Sequence, residues 1–153
     1  MIILDTNVLG ALMRTVPDAA VVAWLDRQPA DSVWITSITL FEVRFGLALL
    51  PLGRRRQTLE AAFARLLKED LENRVLDFDS AAATEAAPLA ATRRKRGRPV
   101  DMRDTQIAGI ALARRAVLAT RNVQHFLDLE ISIVSGQPYT GASSSQASVD
   151  APS

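Results

Sequence analysis

Apolar residues along this chain fall into two rhythms. Short blocks rich in β-branched and aliphatic residues, Met1 to Leu4, Ser32 to Thr36, Arg74 to Phe78, Val117 to Thr120 and Ile131 to Val134, have the length and composition of buried strands. Between them, apolar residues recur at helical spacing over Asn7 to Met13, Ala19 to Asp26, Ile38 to Leu50, Gln57 to Leu71, Ala81 to Arg94 and Asp101 to Arg115. Breakers punctuate the series: Pro17-Asp18, Gln28-Pro29-Ala30-Asp31, and Pro51 with Gly53. Strands alternating with helices predict an α/β fold, a parallel sheet with helices on both faces. Right-handed crossovers then bring the carboxyl ends of all strands to one edge.

Two helical segments stand out. Ile38 to Leu50 is apolar almost all round, with Glu42 and Arg44 as its only charges, so it is either buried within the domain or covered by another subunit. Ala81 to Arg94 is rich in alanine and contains Pro88, a potential kink. From Gly136 onward the chain turns to Gly, Ser, Gln, Ala and Pro, too polar to bury a surface. The organisation expected is one domain over residues 1–135 and a flexible polar tail over 136–153.

Composition changes this picture in only a few respects. With no cysteine, disulfides, thiolate nucleophiles and Cys-ligated zinc are excluded. One Tyr and two Trp leave no aromatic platform for stacking single-stranded bases. The net charge of +1 names no partner, although positive charge is concentrated in Arg54-Arg55-Arg56 and in Arg93 to Arg98, read as loops. No segment is long and uncharged enough to span a bilayer, and the default expectation is a soluble cytoplasmic protein.

The candidate chemistry lies at the sheet edge. Asp5 ends the first strand, Asn122 follows the fourth, and Glu42 and Asp104 fall in the opening turns of helices. Carboxylates gathered at one point repel one another unless a cation is present, and an all-oxygen set selects a hard ion, Mg²⁺ or Mn²⁺. Each acid also has a plainer role. Thr39-Leu40-Phe41-Glu42 matches a capping box, Asp101 an N-cap with Asp104 at the third helical position, and Asp5 a cap on the first helix. His125, the only histidine, has no partner legible in sequence and is assigned no function.

Leu4-Asp5-Thr6-Asn7, Thr39-Leu40-Phe41-Glu42-Val43, Asp104-Thr105-Gln106-Ile107-Ala108 and Ala119-Thr120-Arg121-Asn122, in that order, resemble the PIN domain. Their spacing is similar to that of VapC/FitB-type toxins of bacterial toxin–antitoxin pairs. The resemblance covers about Met1 to Val134. It implies a three-layer sandwich with a five-stranded parallel sheet of order 3-2-1-4-5 and a Mg²⁺-dependent endoribonuclease. Asp5, Glu42 and Asp104 would carry the acidic roles, Asp5 and Asp104 holding the metal directly or through water, and Glu42 orienting the attacking water. Thr6 and Thr120 would support the site from outside, and Asn122 stands where many members carry a fourth acid. The resemblance further implies a homodimer and an antitoxin whose tail fills the crevice.

Beside such a crevice Arg121, and then Arg93, Arg94, Lys95 and Arg96, become candidate contacts for RNA phosphates. Three other functions compete. An Asp-based phosphotransferase or phosphatase would want a second Asp where Asn7 stands, and a receiver-like domain would want paired acids and a late-strand Lys. A non-catalytic interaction domain is the third, separated from a nuclease by Mg²⁺ binding.

Overall fold

A computed structural model describes residues 1–98, 100–129 and 133–134; the expected tail, 136–153, lies outside the described residues. The strands are β1 (Ile2–Leu4), β2 (Val33–Thr36), β3 (Val75–Leu76), β4 (Val117–Ala119) and β5 (Ile133–Val134). The helices are α1 (Thr6–Met13), α2 (Ala19–Asp26), α3 (Ser37–Leu49), α4 (Arg54–Arg65), α5 (Ser80–Lys95) and α6 (Met102–Arg114). All paired strands are parallel, in the order β3-β2-β1-β4-β5. The three-layer arrangement expected from the sequence is the one observed.

The period of two along each strand separates the two cores. Leu4, Val33, Ile35 and Ala119 face one side and pack with Val8, Leu9, Val21, Val43, Leu47 and Phe63 of α1 to α4. Ile3 and Leu118 face the other side and pack with Ile107, Ile110 and Phe126. On that second side α5 and α6 approach so closely that a Cβ on Gly109 would lie 2.6 Å from the carbonyl oxygen of Ala82 and from Cβ of Ala86. β1 is central and pairs with both β2 and β4, so the chain direction from β1 diverges at its carboxyl end. A crevice opens at such a switch point.

Several local expectations need correction. α3 is not buried within the domain. Thr39, Val43 and Leu47 face inward, whereas Phe41 and Phe45 on the opposite side are 56% and 46% exposed, and Leu49 and Leu52 beyond them 69% and 88%. The two Phe rings stack with centroids 5.7 Å apart. The cap of α3 is Thr36, whose Oγ1 accepts from the Thr39 amide at 3.0 Å. The capping box expected at Thr39 and Glu42 therefore does not form, and Glu42 is released from capping.

The arginine triplet at 54–56 begins α4 rather than forming a loop. Beyond α4 the chain widens into a turn closed by an i→i+5 bond from the Leu71 amide to the Leu66 carbonyl, 2.9 Å. Arg93 and Arg94, expected at once to end a helix and to open a basic loop, are helical together with Lys95 and form the last turn of α5, which continues through the exposed Pro88.

Candidate active site

Asp5 leaves β1 at the crevice with its backbone amide still bonded to the Ala119 carbonyl of β4, at 2.9 Å. Its side chain, 3% exposed, is held on all sides by hydrogen-bond donors. Oδ1 accepts from the Thr6 amide (2.8 Å), and Oδ2 from the Thr120 hydroxyl (2.7 Å) and Asn7 Nδ2 (3.3 Å). Burial pushes the Asp5 carboxyl above its ordinary value, the Thr120 and Thr6 bonds oppose that shift, and the charge of Asp104 adds to it. Asp5 does cap α1, as the sequence suggested, but a cap needs only one oxygen.

Glu42 reaches the same crevice from the second turn of α3. Its Oε1 accepts from the Thr6 hydroxyl at 3.2 Å, and Oε2 lies 3.9 Å from Nη1 of Arg103. Burial raises the Glu42 carboxyl first of all, Thr6 and Arg103 pull it down, and Asp5 and Asp104 push it up again. Asp104 arrives from α6. The N-cap there is Asp101, whose Oδ1 accepts from the Arg103 amide at 2.8 Å, so Asp104 is free to turn to the crevice. There its Oδ2 stands 2.8 Å from Nδ1 of His125. Acids from β1, α3 and α6 thus act electrostatically on one another across more than sixty residues of sequence separation for Asp104 and Glu42.

The remaining candidates divide. Thr120 is fully buried, donates to Asp5, and accepts from the Asn122 amide at 3.0 Å and from Asn7 Nδ2 at 3.4 Å. Asn122 is exposed beside the crevice and does not cap the turn that follows it. Arg121 pairs with Asp18, Nη2 to Oδ2 at 2.6 Å, on the cap of α2. Arg94, Lys95 and Arg96 are exposed. Arg93 has to be withdrawn as an RNA contact: it is 3% exposed, and Asp128, Thr105 and the His125 carbonyl take up its guanidinium.

Three residues here were given no role in the site from the sequence. Asn7 ties Asp5 to the β4 end, since its Oδ1 also accepts from the Arg121 amide at 3.0 Å. Arg103 and His125 bring positive or protonatable groups to Glu42 and Asp104. Arg103 was within sight, one residue before a candidate acid, whereas nothing local links His125 to Asp104.

The donor set is oxygen-rich and mutually repulsive, which fits a hard divalent cation. Among the described residues no three acidic or imidazole side chains close tightly enough on one point to be direct ligands of a single ion. A cation held by one or two carboxylates and otherwise by water matches this geometry, and that is the habit of Mg²⁺.

A parallel three-layer α/β domain with an acidic switch-point crevice is thus the class that fold and site define. The PIN domain family model matches residues 2–130, and the chain belongs to that family. It is 37% identical to VapC ribonuclease Y4jK of Sinorhizobium fredii over 88% of this chain and 96% of that protein. It is 31% identical to toxin FitB of Neisseria gonorrhoeae over 87% and 96%. Among solved structures, FitAcB from Neisseria gonorrhoeae matches with a TM-score of 0.75 and 29% identity over 89% of this chain and 98% of that one. VapBC-1 from nontypeable Haemophilus influenzae gives 0.73 and 29% over the same shares.

Proposed function

We propose that this chain is a divalent-metal-dependent endoribonuclease of the VapC/FitB type, the toxin half of a cytoplasmic toxin–antitoxin pair. What supports the reading is that Thr6 bonds both Asp5 and Glu42, and that both carboxyls are raised first by burial and then by neighbouring acids, Asp104 among them. The names of the relatives, a VapC ribonuclease and a FitB toxin, point the same way.

In the reaction proposed, water displaces one ester oxygen of an RNA phosphodiester. Asp5 and Asp104 are the residues to hold Mg²⁺ or Mn²⁺. The chemistry a bound ion supplies is polarisation of a coordinated water and neutralisation of charge on the phosphoryl oxygens. Thr120 and Asn7 fix the Asp5 carboxylate, and Thr6 spans Asp5 and Glu42, setting their relative orientation. Glu42, partly desolvated and raised in pKa, is suited to receive a proton from the attacking water. Exposed Arg94, Lys95 and Arg96 supply sequence-independent attraction for phosphates. An aspartyl nucleophile is disfavoured, because that chemistry wants a second Asp where this chain has Asn7, whose amide instead donates to Asp5.

For the partners, two surfaces support the reading. A groove of about 1250 Å³ runs between α1, α3 and α4, with Val43, Leu47 and Leu59 on its wall and Thr6 and Glu42 at its crevice end. That is where an antitoxin segment would lie. The exposed Phe41, Phe45, Leu49 and Leu52 form an apolar stripe suited to a second copy of the chain. The test of the central reading is incubation of an RNA mixture with and without Mg²⁺, with the new ends mapped. Discrete Mg²⁺-dependent ends that vanish for Asp5→Asn are expected. Intact RNA at all Mg²⁺ concentrations leaves a non-catalytic interaction domain as the answer.

A further inference from the structure

Arg93 is the most deeply buried cation described, and the reaction proposed above makes no use of its charge. Four N–H bonds leave its guanidinium. Nε and Nη2 form a two-pronged pair with Oδ2 and Oδ1 of Asp128, both at 2.9 Å. Nη1 donates to Thr105 Oγ1 at 2.8 Å, and Nη2 to the His125 carbonyl at 2.7 Å. The side chains of Arg93 and Asp128 are only 3% and 8% exposed.

The destinations of these bonds matter more than their number. Thr105 is the residue after Asp104 on α6, and the His125 carbonyl belongs to the residue whose ring meets Asp104. One guanidinium on the last turn of α5 therefore fixes both sides of the His125–Asp104 contact. Stability alone does not account for such a pair, because a buried ion pair is often no better than apolar packing of the same volume. What it supplies that apolar packing lacks is direction: a planar fork accepts its partners at set angles.

We propose that Arg93 is a positioning residue, a buried clamp that joins α5, the start of α6 and the 123–128 turn so that His125 holds the Asp104 carboxylate in place for the cation. Within the clamp, Asp128 orients the guanidinium, Thr105 registers it against α6, and the His125 carbonyl transmits that register to the imidazole. His125 then donates from Nδ1 to Asp104, leaving the other Asp104 oxygen for the ion or its water. The proposal rests on the nuclease reading only where the cation enters. The clamp and its effect on the imidazole stand independently of it.

The single histidine makes the test direct. In the ¹⁵N-labelled chain at mildly alkaline pH, the imidazole nitrogen shifts report which nitrogen carries the proton. The Nδ1–H tautomer is expected to dominate and to be lost in Asp104→Ala, which removes the acceptor, and in Arg93→Met. Mg²⁺ affinity by calorimetry is expected to fall about 10-fold or more in Arg93→Met, the size of effect seen when an outer partner of a metal ligand is removed.

Since Arg93→Met leaves Asp128 buried and unpaired, a change that by itself destabilises the fold, the decisive variant is the double replacement Arg93→Met with Asp128→Leu, which restores an apolar pair. If it melts like the wild type but keeps the free-imidazole tautomer pattern and weak Mg²⁺ binding, the clamp is a positioning device. If it recovers the wild-type imidazole signals and Mg²⁺ affinity, Arg93 only fills space and the proposal is overturned. A clamp that controls the tautomer in a chain that neither binds Mg²⁺ nor cuts RNA would sink the nuclease reading while leaving the positioning role intact.

Discussion

Asp104→Asn separates a metal-site acid from a helix-start acid by the sign of one effect and the size of another. As an acid in the first turn of α6, Asp104 interacts with the helix dipole by about 0.3–1 kcal/mol. The N-cap bond is not at stake, since Asp101 makes it. The contact with His125, whose ring is 47% exposed, is of the kind that contributes about 0–1 kcal/mol, and the Asn oxygen still accepts from Nδ1. Against these losses stands a gain: Asp104 raises the carboxyls of both Asp5 and Glu42, and removing its charge relieves both. The opposing terms leave the metal-free chain within about 1 kcal/mol of wild type, a melting shift of about 3 °C either way for a domain of this size. Catalysis has no such compensation. Loss of an outer partner of a metal ligand costs about 10–100-fold, so loss of the ligand itself should exceed 100-fold. Single-turnover cleavage of end-labelled RNA at saturating Mg²⁺, with calorimetric melting of the same samples, measures both. Cleavage within about twofold of wild type would refute the metal role. A fall of 10 °C or more in melting temperature would show that Asp104 is structural.

Three further outcomes are expected. Gly109→Ala should lower stability by up to about 2 kcal/mol, because a Cβ placed 2.6 Å from a backbone carbonyl incurs overpacking of about 1–3 kcal/mol, set against a gain of about 1 kcal/mol in helix propensity; urea unfolding that shows a more stable variant would mean α5 and α6 can part freely. In the metal-free chain, folded-state carboxyls raised at Asp5 and Glu42 bind protons more tightly than in the unfolded chain, so their stability contribution is full at acid pH and is lost as pH rises through the raised values. Asp18, Asp79, Asp101 and Asp128 are shifted down, and their contribution is lost only as pH falls below the ordinary aspartate range, which places maximum stability at mildly acidic pH. Urea titrations with chelator present should show the decline towards neutral pH, and an Asp5→Asn/Glu42→Gln double variant should lack it. Phe41→Asp with Phe45→Asp should leave the monomer fold within about 0.5 kcal/mol and abolish self-association in sedimentation; a persisting dimer would place the seam elsewhere.

The fold was legible because burial makes β1 to β4 short, mostly apolar blocks, and the breakers lie between blocks. What periodicity does not encode is the identity of the covering surface. The apolar circumference of α3 is equally compatible with a sheet on one side and a second molecule on the other, and only the packing of Thr39, Val43 and Leu47 inward decides which side is which. The misplaced cap has a similar origin. Thr36 and Thr39 are both competent N-cap residues, and β2 runs as far as Thr36 because that residue pairs with Leu76, so tertiary pairing selects the start of the helix. Asp5, Glu42 and Asp104 were legible as candidates because polar residues at strand ends and helix starts interrupt an otherwise apolar pattern.

Arg93 was misread for a reason that the sequence itself contains. Counting charges treats Arg93 to Arg98 as a uniform run, whereas helical phase does not. Ala82, Ala86 and Arg93 lie on one buried face of α5, with Leu89 between them packed on the same core, so the apolar stripe leads directly to an arginine that must find a buried acid. Asp128 and the role of His125 depend on contacts spanning 35 and 21 residues, beyond any local signal. The same contacts give the site its asymmetry. Asp5 is stabilised in the metal-free chain by a hydroxyl and amides, while Glu42 and Asp104 face Arg103 and His125. On the proposed reading an ion held by Asp5 and Asp104 adds charge beside Asp5 and meets an Asp104 already oriented through one oxygen by His125, while Arg103 opposes it only at Glu42. On that reading the geometry of Arg103 and His125, and not only the number of carboxylates, would set how readily the crevice takes a divalent ion.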